Sequence, residues 1–304
     1  MQFLYFLEGI RMPGLNELML TVTTLGEETA FLALALIFFW CVDKRRGYYL
    51  MSVGFMGIIA NQFMKLWFRI PRPWVLDENF TILEQAREAA AGYSFPSGHT
   101  TSAVGTFGAI AVSSGKKAVS AACLVLAVLV GFSRMYVGVH TPQDVLAGAL
   151  TSLILILFLR KPILAGDVKE MKLLIGVMLT MAVGLLLFVE GYPFPADVDA
   201  HNLQSGMKNA YTMIGCLVGV ALVYILDCKY IRFETDAVWW AQILKAVLGI
   251  AAVLLVKEGL RTPLEAICGD VLIARGIRYC LIVLVAGGAW PMTFRYFAKL
   301  GRKG

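Results

Sequence analysis

The sequence predicts an all-α polytopic membrane protein, a six-helix core followed by about three additional C-terminal transmembrane helices. Three observations lead there. Of 304 residues, 59% are hydrophobic and only 16% charged, against about 45–50% apolar and about 25% charged in soluble domains. Apolar runs long enough to cross a bilayer recur along the whole chain. Basic residues gather in alternate connections between those runs.

Residues 1–17 open on an apolar stretch broken by Glu8, Arg11 and Pro13, which reads as an N-terminal interfacial segment and not as a cleaved signal. Spans follow at 18–41, 48–66, 98–114, 118–133, 142–159 and 171–190, giving a core over 18–190. Three more, at 209–227, 239–257 and 271–290, make an additional bundle within 191–304. The longest polar connection is 67–97, where the alanine- and glutamate-rich piece Glu84 to Ala91 predicts a short surface helix. A second connection, 191–208, carries Asp197, Asp199 and His201, and His201 reads as an ordinary loop residue. Arg261 and Glu265 read as solvated loop charges.

Placing the N-terminus outside puts 16 of the 27 basic residues on the cytoplasmic side. They are Lys44, Arg45, Arg46, Lys116, Lys117, Arg160, Lys161, Lys169, Lys172, Lys229, Arg232, Lys245, Arg295, Lys299, Arg302 and Lys303. The positive-inside rule favours this orientation. A net charge of +6 distributed in this way speaks for a membrane bilayer as partner and against nucleic acid. Six cysteines lie in or beside apolar spans without a zinc pattern or a disulfide framework, and read as small buried hydrophobes.

Three short blocks carry the chemistry. Lys65 closes the second span and Arg72-Pro73 follows across a turn; the lysine offers a point charge and the arginine a fork for two phosphate oxygens. Alone, such residues are commonly snorkelling charges. Pro96-Ser97-Gly98-His99 opens the third span. A helix start offers unpaired N–H groups to an anion, Gly98 admits close backbone approach and Ser97 adds a hydroxyl. As an isolated tetrapeptide it is a turn and cap, which leaves the imidazole unexplained. Ser133-Arg134 ends the fourth span, and His140 and Asp144 flank Pro142 at the start of the fifth. Residues four apart share a helix face, so Asp144 can accept from one nitrogen of His140 and leave the other for phosphate. All three blocks fall on one predicted face. Glu27 and Glu28, inside the first span, are supporting candidates: they lie at the interface or pair with a cation near the site, such as Lys65 or Arg69.

Lys65-x6-Arg72-Pro73, Pro96-Ser97-Gly98-His99 and Ser133-Arg134-x5-His140-x3-Asp144 resemble the three-part signature of the type 2 phosphatidic acid phosphatase superfamily, in its integral membrane branch. That superfamily also includes vanadium haloperoxidases and bacterial acid phosphatases. Every motif position matches, over residues 65–144. The resemblance implies a lipid phosphate substrate and hydrolysis of a phosphomonoester or diphosphate through a phosphohistidine. It makes His140 the nucleophile, Asp144 its orienter and His99 the proton donor to the leaving oxygen and later the base for water. Lys65, Arg72, Ser97, Gly98 and Arg134 would bind the phosphate. No separate carboxylate cluster for magnesium is visible, so no metal and no cofactor is expected.

Two other readings stay open. A phosphotransferase of the same fold would hand the phosphate to a lipid acceptor in place of water. A lipid transporter or flippase belongs to a different class, but no inverted repeat supports it. The compact chain and its orientation point to a bacterial plasma membrane with the site on the extracytoplasmic face. Neither the lipid tail nor the oligomeric state is legible.

Overall fold

A backbone crossing lipid must satisfy its own hydrogen bonds, and the helix does so within one segment. In the computed structural model, which describes residues 1–88 and 90–300, no strand occurs among the described residues. Ala89, inside the expected surface helix, and Arg302 and Lys303, among the expected cytoplasmic charges, lie outside them. The helices in order are α1 (Gln2–Gly9), α2 (Pro13–Thr24), α3 (Glu28–Ile37), α4 (Lys44–Phe68), the single turn α5 (Pro73–Leu76), α6 (Gly98–Ser114) and α7 (Lys117–Tyr136). Then come α8 (Pro142–Ala165), α9 (Val168–Gly191), α10 (Ala200–Leu226), α11 (Trp239–Gly259), α12 (Arg261–Cys268), α13 (Val271–Leu284) and α14 (Phe294–Phe297).

Among the described residues, six helices are long and apolar enough to cross a membrane: α7 to α11 and α13, some with short extensions. The bent pair of α2 and the stretch Glu28–Val42, which meet at 52°, makes a seventh when counted as one span. The first expected span is therefore broken, and Glu27 and Glu28 sit at the break. Two of the nine expected spans do not meet the same standard. Helix α6 has only 17 residues. Helix α4 has 25 but carries Ser52, Asn61, Gln62 and Lys65. The C-terminal addition has its three long helices, α10, α11 and α13.

The chain divides into two compact units. One comprises Met1–Leu32, Tyr49–Lys161 and Pro193–Gly206; the other comprises Ala33–Tyr48, Pro162–Tyr192 and Met207–Gly304. In the first, α7 packs against α6, α2 and α1. Arg11 staples this arrangement, donating Nε to the Tyr136 carbonyl (3.1 Å) and Nη1 to the Thr81 carbonyl (2.9 Å). Met19, Ala86, Ala90, Tyr136, Val137 and Val139 form a buried cluster beneath the long connection.

That connection departs from expectation. In place of a helix over 84–91 there is a 3₁₀ turn at Glu84–Ala86. The backbone flanking this turn is committed to tertiary hydrogen bonds. The Arg72 guanidinium takes the carbonyls of Ala91 and Gly92, and Leu83 N–H donates to the Val137 carbonyl. Tertiary bonds thus hold the segment at both ends and override its helix propensity.

In the second unit, Trp40 Nε1 donates to the Ala286 carbonyl (2.8 Å). Lys44 pairs with Asp227 at 2.8 Å and lies 3.8 Å from the centre of the Phe233 ring. Lys245, counted with the cytoplasmic charges, is fully buried, donating to the Thr235 carbonyl beside Phe294. Arg261 and Glu265 are not loop residues. They belong to α12 and pair one turn apart at 3.5 Å.

Candidate active site

The connection 69–97, the end of α7 and the start of α8 bring the three blocks into one buried cluster. Lys65 lies in the last turn of α4, and its Nζ donates to the Tyr93 carbonyl. Arg72, just ahead of α5, donates Nε to Gly92 O (3.0 Å), Nη2 to Ala91 O (3.0 Å) and Nη1 to Val139 O (2.9 Å). The same Nη1 lies 2.8 Å from His140 Nε2. One guanidinium therefore ties the first block's connection to the backbone that carries His140.

Ser97 is the N-cap of α6. Its Oγ accepts from Thr100 N (3.3 Å) and Thr100 Oγ1 (2.9 Å), which leaves its own O–H to donate. The Ser97 N–H donates to the Asp144 carbonyl at 3.0 Å, joining the second block to the third. A Cβ placed on Gly98 would meet only Asn61 Oδ1, at 3.7 Å. Packing within the chain thus leaves room beside that backbone. His99 follows in the first turn, and its Nε2 is buried without a hydrogen-bond partner among the described residues.

Arg134 is wholly buried in the last turn of α7. Its Nη1 donates to Thr23 Oγ1 at 2.7 Å, while Nε and Nη2 have no partner among the described residues. Two buried donors of a fixed cation directed at no protein acceptor fit an anion.

His140 is 1% exposed, with Nδ1 3.4 Å from Asp144 Oδ2. A guanidinium only donates, so Nε2, facing Arg72, is the unprotonated nitrogen and Nδ1 carries the proton toward Asp144. Burial pushes the His140 imidazole well below its ordinary range, with the Arg72, Arg134 and Lys65 charges adding to this. Burial also lowers Arg72, to about 10, against the opposing pull of Asp144. Asp144 serves more than the histidine. Its Oδ2 accepts from Ser94 Oγ (2.7 Å) and Thr141 N (2.7 Å), which fix the carboxylate in place.

The eight motif residues are therefore gathered in one place. Glu27, at the break in the first span, accepts from Thr29 Oγ1 at 3.2 Å, and its charge also acts on Arg134. Glu28, the exposed first residue of α3, is next to it in sequence. Residue spacing gave no signal for Thr23, Asn61 or Ser94. Asn61 donates Nδ2 to Pro96 O (3.3 Å) and Thr101 Oγ1 (3.1 Å). A buried asparagine in an apolar helix was the one available hint. His201 is exposed in the first turn of α10, not in a loop. With Phe68, Arg69, Arg72, Trp74 and Tyr93 it lines a cavity of about 870 Å³. Among the described residues, no group of three or more His, Cys, Asp or Glu side chains is placed to hold a metal ion.

Fold and site together define a class: an integral membrane protein, all-helical among the described residues, with buried cations around a carboxylate-paired histidine. The family described as the PAP2 superfamily matches residues 45–163, and the one described as the PAP2 superfamily phosphatase transmembrane extension matches residues 211–303. Phosphatidylglycerophosphatase B of Bacillus subtilis is 34% identical over 159 residues, covering 48% of this chain and 74% of the relative. Undecaprenyl-diphosphatase BcrC of the same organism is 33% identical over 147 residues, covering 46% and 71%. A probable sphingosine-1-phosphate phosphatase of Dictyostelium discoideum is 33% identical over 215 residues, covering 65% and 49%. No solved structure matches significantly. The chain belongs to the PAP2 superfamily and is a membrane phosphatase, with its last three long helices in the family's transmembrane extension.

Proposed function

We propose that the protein hydrolyses a terminal phosphomonoester or diphosphate of a lipid through a phosphohistidine, without metal, at the extracytoplasmic face of a bacterial plasma membrane. The observation that carries this reading is the His140 ring, with Nε2 turned to the cationic cradle and Nδ1–H toward Asp144. The Nε2 lone pair attacks phosphorus and the bond to the leaving oxygen breaks. His99, protonated as the phosphate arrives, gives that oxygen its proton. The imidazole positive charge that develops on His140 is stabilised by Asp144. Neutral His99 then takes a proton from water, whose oxygen attacks phosphorus. The N–P bond breaks, its electron pair returns to Nε2, and inorganic phosphate leaves.

Lys65, Arg72, Arg134, the Ser97 hydroxyl and the Gly98 backbone hold the non-bridging oxygens. Phosphoryl transfer depends mainly on positioning and charge stabilisation, which three fixed cations supply here. The names of the similar proteins support a lipid substrate with a terminal phosphate. The cavity beside Arg72 is far larger than a phosphate and supplies room for a leaving group. The positive-inside distribution supports the orientation.

The test is phosphate release in detergent, with chelator present, from phosphatidate, phosphatidylglycerol phosphate, a polyprenyl diphosphate and a sphingoid phosphate. Release from at least one, abolished in His140→Ala, is expected. His99→Ala should still accumulate phosphoenzyme from a substrate with a good leaving group. Full activity of His140→Ala overturns the nucleophile, and activity lost to chelator and restored by magnesium overturns metal independence. Phosphate recovered on an added lipid alcohol, with none free, replaces hydrolysis by transfer.

A further inference from the structure

The first span breaks beside the active site, outside the region matched by the core family. Helix α2 ends at Thr24, and the next N–H groups close short turns: Leu25 on Val22, Gly26 on Thr23 and Glu27 on Thr24. Such i→i−3 bonds tighten and redirect a helix end. The residues exposed by this turn on its inner side each meet the catalytic cluster. Thr23 is buried and accepts from Arg134 Nη1 at 2.7 Å. Gly26 is buried against the start of α6, where a Cβ would lie 2.8 Å from the His99 carbonyl oxygen and 2.7 Å from Val130 Cγ1. Glu27 is the carboxylate whose charge acts on Arg134.

The guanidinium of Arg134 is thus divided. One terminal nitrogen is held by Thr23, and the buried Nε and Nη2 edge is free of protein acceptors. A planar fork binds two oxygens only when the correct edge faces them. A threonine hydroxyl hydrogen-bonded at one corner limits rotation of the fork. The Glu27 charge offsets part of the repulsion among Lys65, Arg72 and Arg134, which otherwise disfavours three cations in one buried site.

We infer that the break in the first span is a fourth part of the active site, in which Thr23 is a positioning residue that sets the edge of Arg134 presented to phosphate and the Glu27 charge offsets that cation. Gly26 provides the close approach that brings them to α6. The inference rests on the reading of Arg134 as a phosphate-holding cation, and the experiment separates the two.

The variants are Thr23→Val, Thr23→Ser, Glu27→Gln and Arg134→Ala in the full chain. For each, kcat and KM on an active lipid phosphate, the inhibition constant of orthovanadate and the unfolding midpoint in detergent are measured. Thr23→Val keeps the side-chain shape and removes the hydroxyl. It should lower kcat and weaken orthovanadate about 10- to 100-fold, the scale on which misplacement of a reacting group by about 1 Å is felt. KM, governed largely by the lipid, should change less. Thr23→Ser should stay within a few-fold of wild type. Glu27→Gln, at a half-buried position, should shift kcat and orthovanadate in the same direction as Thr23→Val with an unchanged midpoint. Arg134→Ala inactive beside wild-type-like Thr23→Val and Glu27→Gln overturns the positioning role and leaves the phosphate site standing. Thr23→Ser as impaired as Thr23→Val also overturns it. Full activity and orthovanadate binding in Arg134→Ala overturn the phosphate-holding reading itself.

Discussion

Ser94 offers a sharp test of how the proposed nucleophile, His140, is held. Its hydroxyl donates to Asp144 Oδ2 at 2.7 Å, and both residues are buried, at 0% and 2% exposed. Substitution by alanine removes one oxygen. The local backbone keeps its own tie, because Ser94 N–H donates to the Ile70 carbonyl at 2.8 Å. After the change, Oδ2 retains the Thr141 N–H at 2.7 Å and remains 3.4 Å from His140 Nδ1. A hydrogen bond to a charged group is worth about 1.5–3 kcal/mol. If that loss is felt wholly when His140 becomes positively charged, each 1.36 kcal/mol is tenfold in rate, which gives about a 10- to 150-fold fall in kcat. Single-turnover measurement of phosphoenzyme formation places the loss in the first step, with the unfolding midpoint in detergent as control. A Ser94→Ala enzyme within twofold of wild type, folded and stable, would refute the argument that the carboxylate needs this tether to orient the histidine.

Two further outcomes follow from Arg72. Arg72→Lys keeps a charge but cannot reproduce bonds to Gly92, Ala91 and Val139 from one nitrogen while facing His140. Loss of at least one charged hydrogen bond, about 1.5–3 kcal/mol, should appear as a lower unfolding midpoint and a lower kcat; an unchanged enzyme counts against the fork's linking role. Arg72 also helps lower the His140 imidazole, so its neutral form persists below the ordinary value near about 6.5. The acid limb of kcat/KM should lie below that value and move to higher pH in Arg72→Gln, because removing a cation raises a histidine. The substrate's own ionisation is the same in both enzymes, so a limb that stays fixed would show that His140 does not set it.

Much of the site was legible because its chemistry is local. A phosphate cradle needs cations, a glycine-opened helix start and an oriented imidazole, and these occur at short spacings around Lys65, Ser97 and His140. The supporting residues were not legible. Ser94 and Thr23 are ordinary hydroxyls in sequence, and they matter only because folding sets them against Asp144 and Arg134. Glu27 is legible as a charge in an apolar run, but Arg134, the cation on which that charge acts, lies more than a hundred residues away. The stretch from Glu84 has strong helix formers but forms only a 3₁₀ turn at Glu84–Ala86, with the backbone on either side held by Val137 and Arg72.

The sequence by itself determined that the chain is helical and lies in a membrane, because backbone satisfaction in lipid follows from apolar length alone. It also singled out, through short motifs at helix ends, the residues that folding gathers into one buried cluster. Only the tertiary structure decided where the first span breaks, which edge of Arg134 is free, which nitrogen of His140 faces the cations and what holds Asp144. Those are relations between side chains distant in sequence, set by packing and by competition for a limited number of buried hydrogen-bond partners.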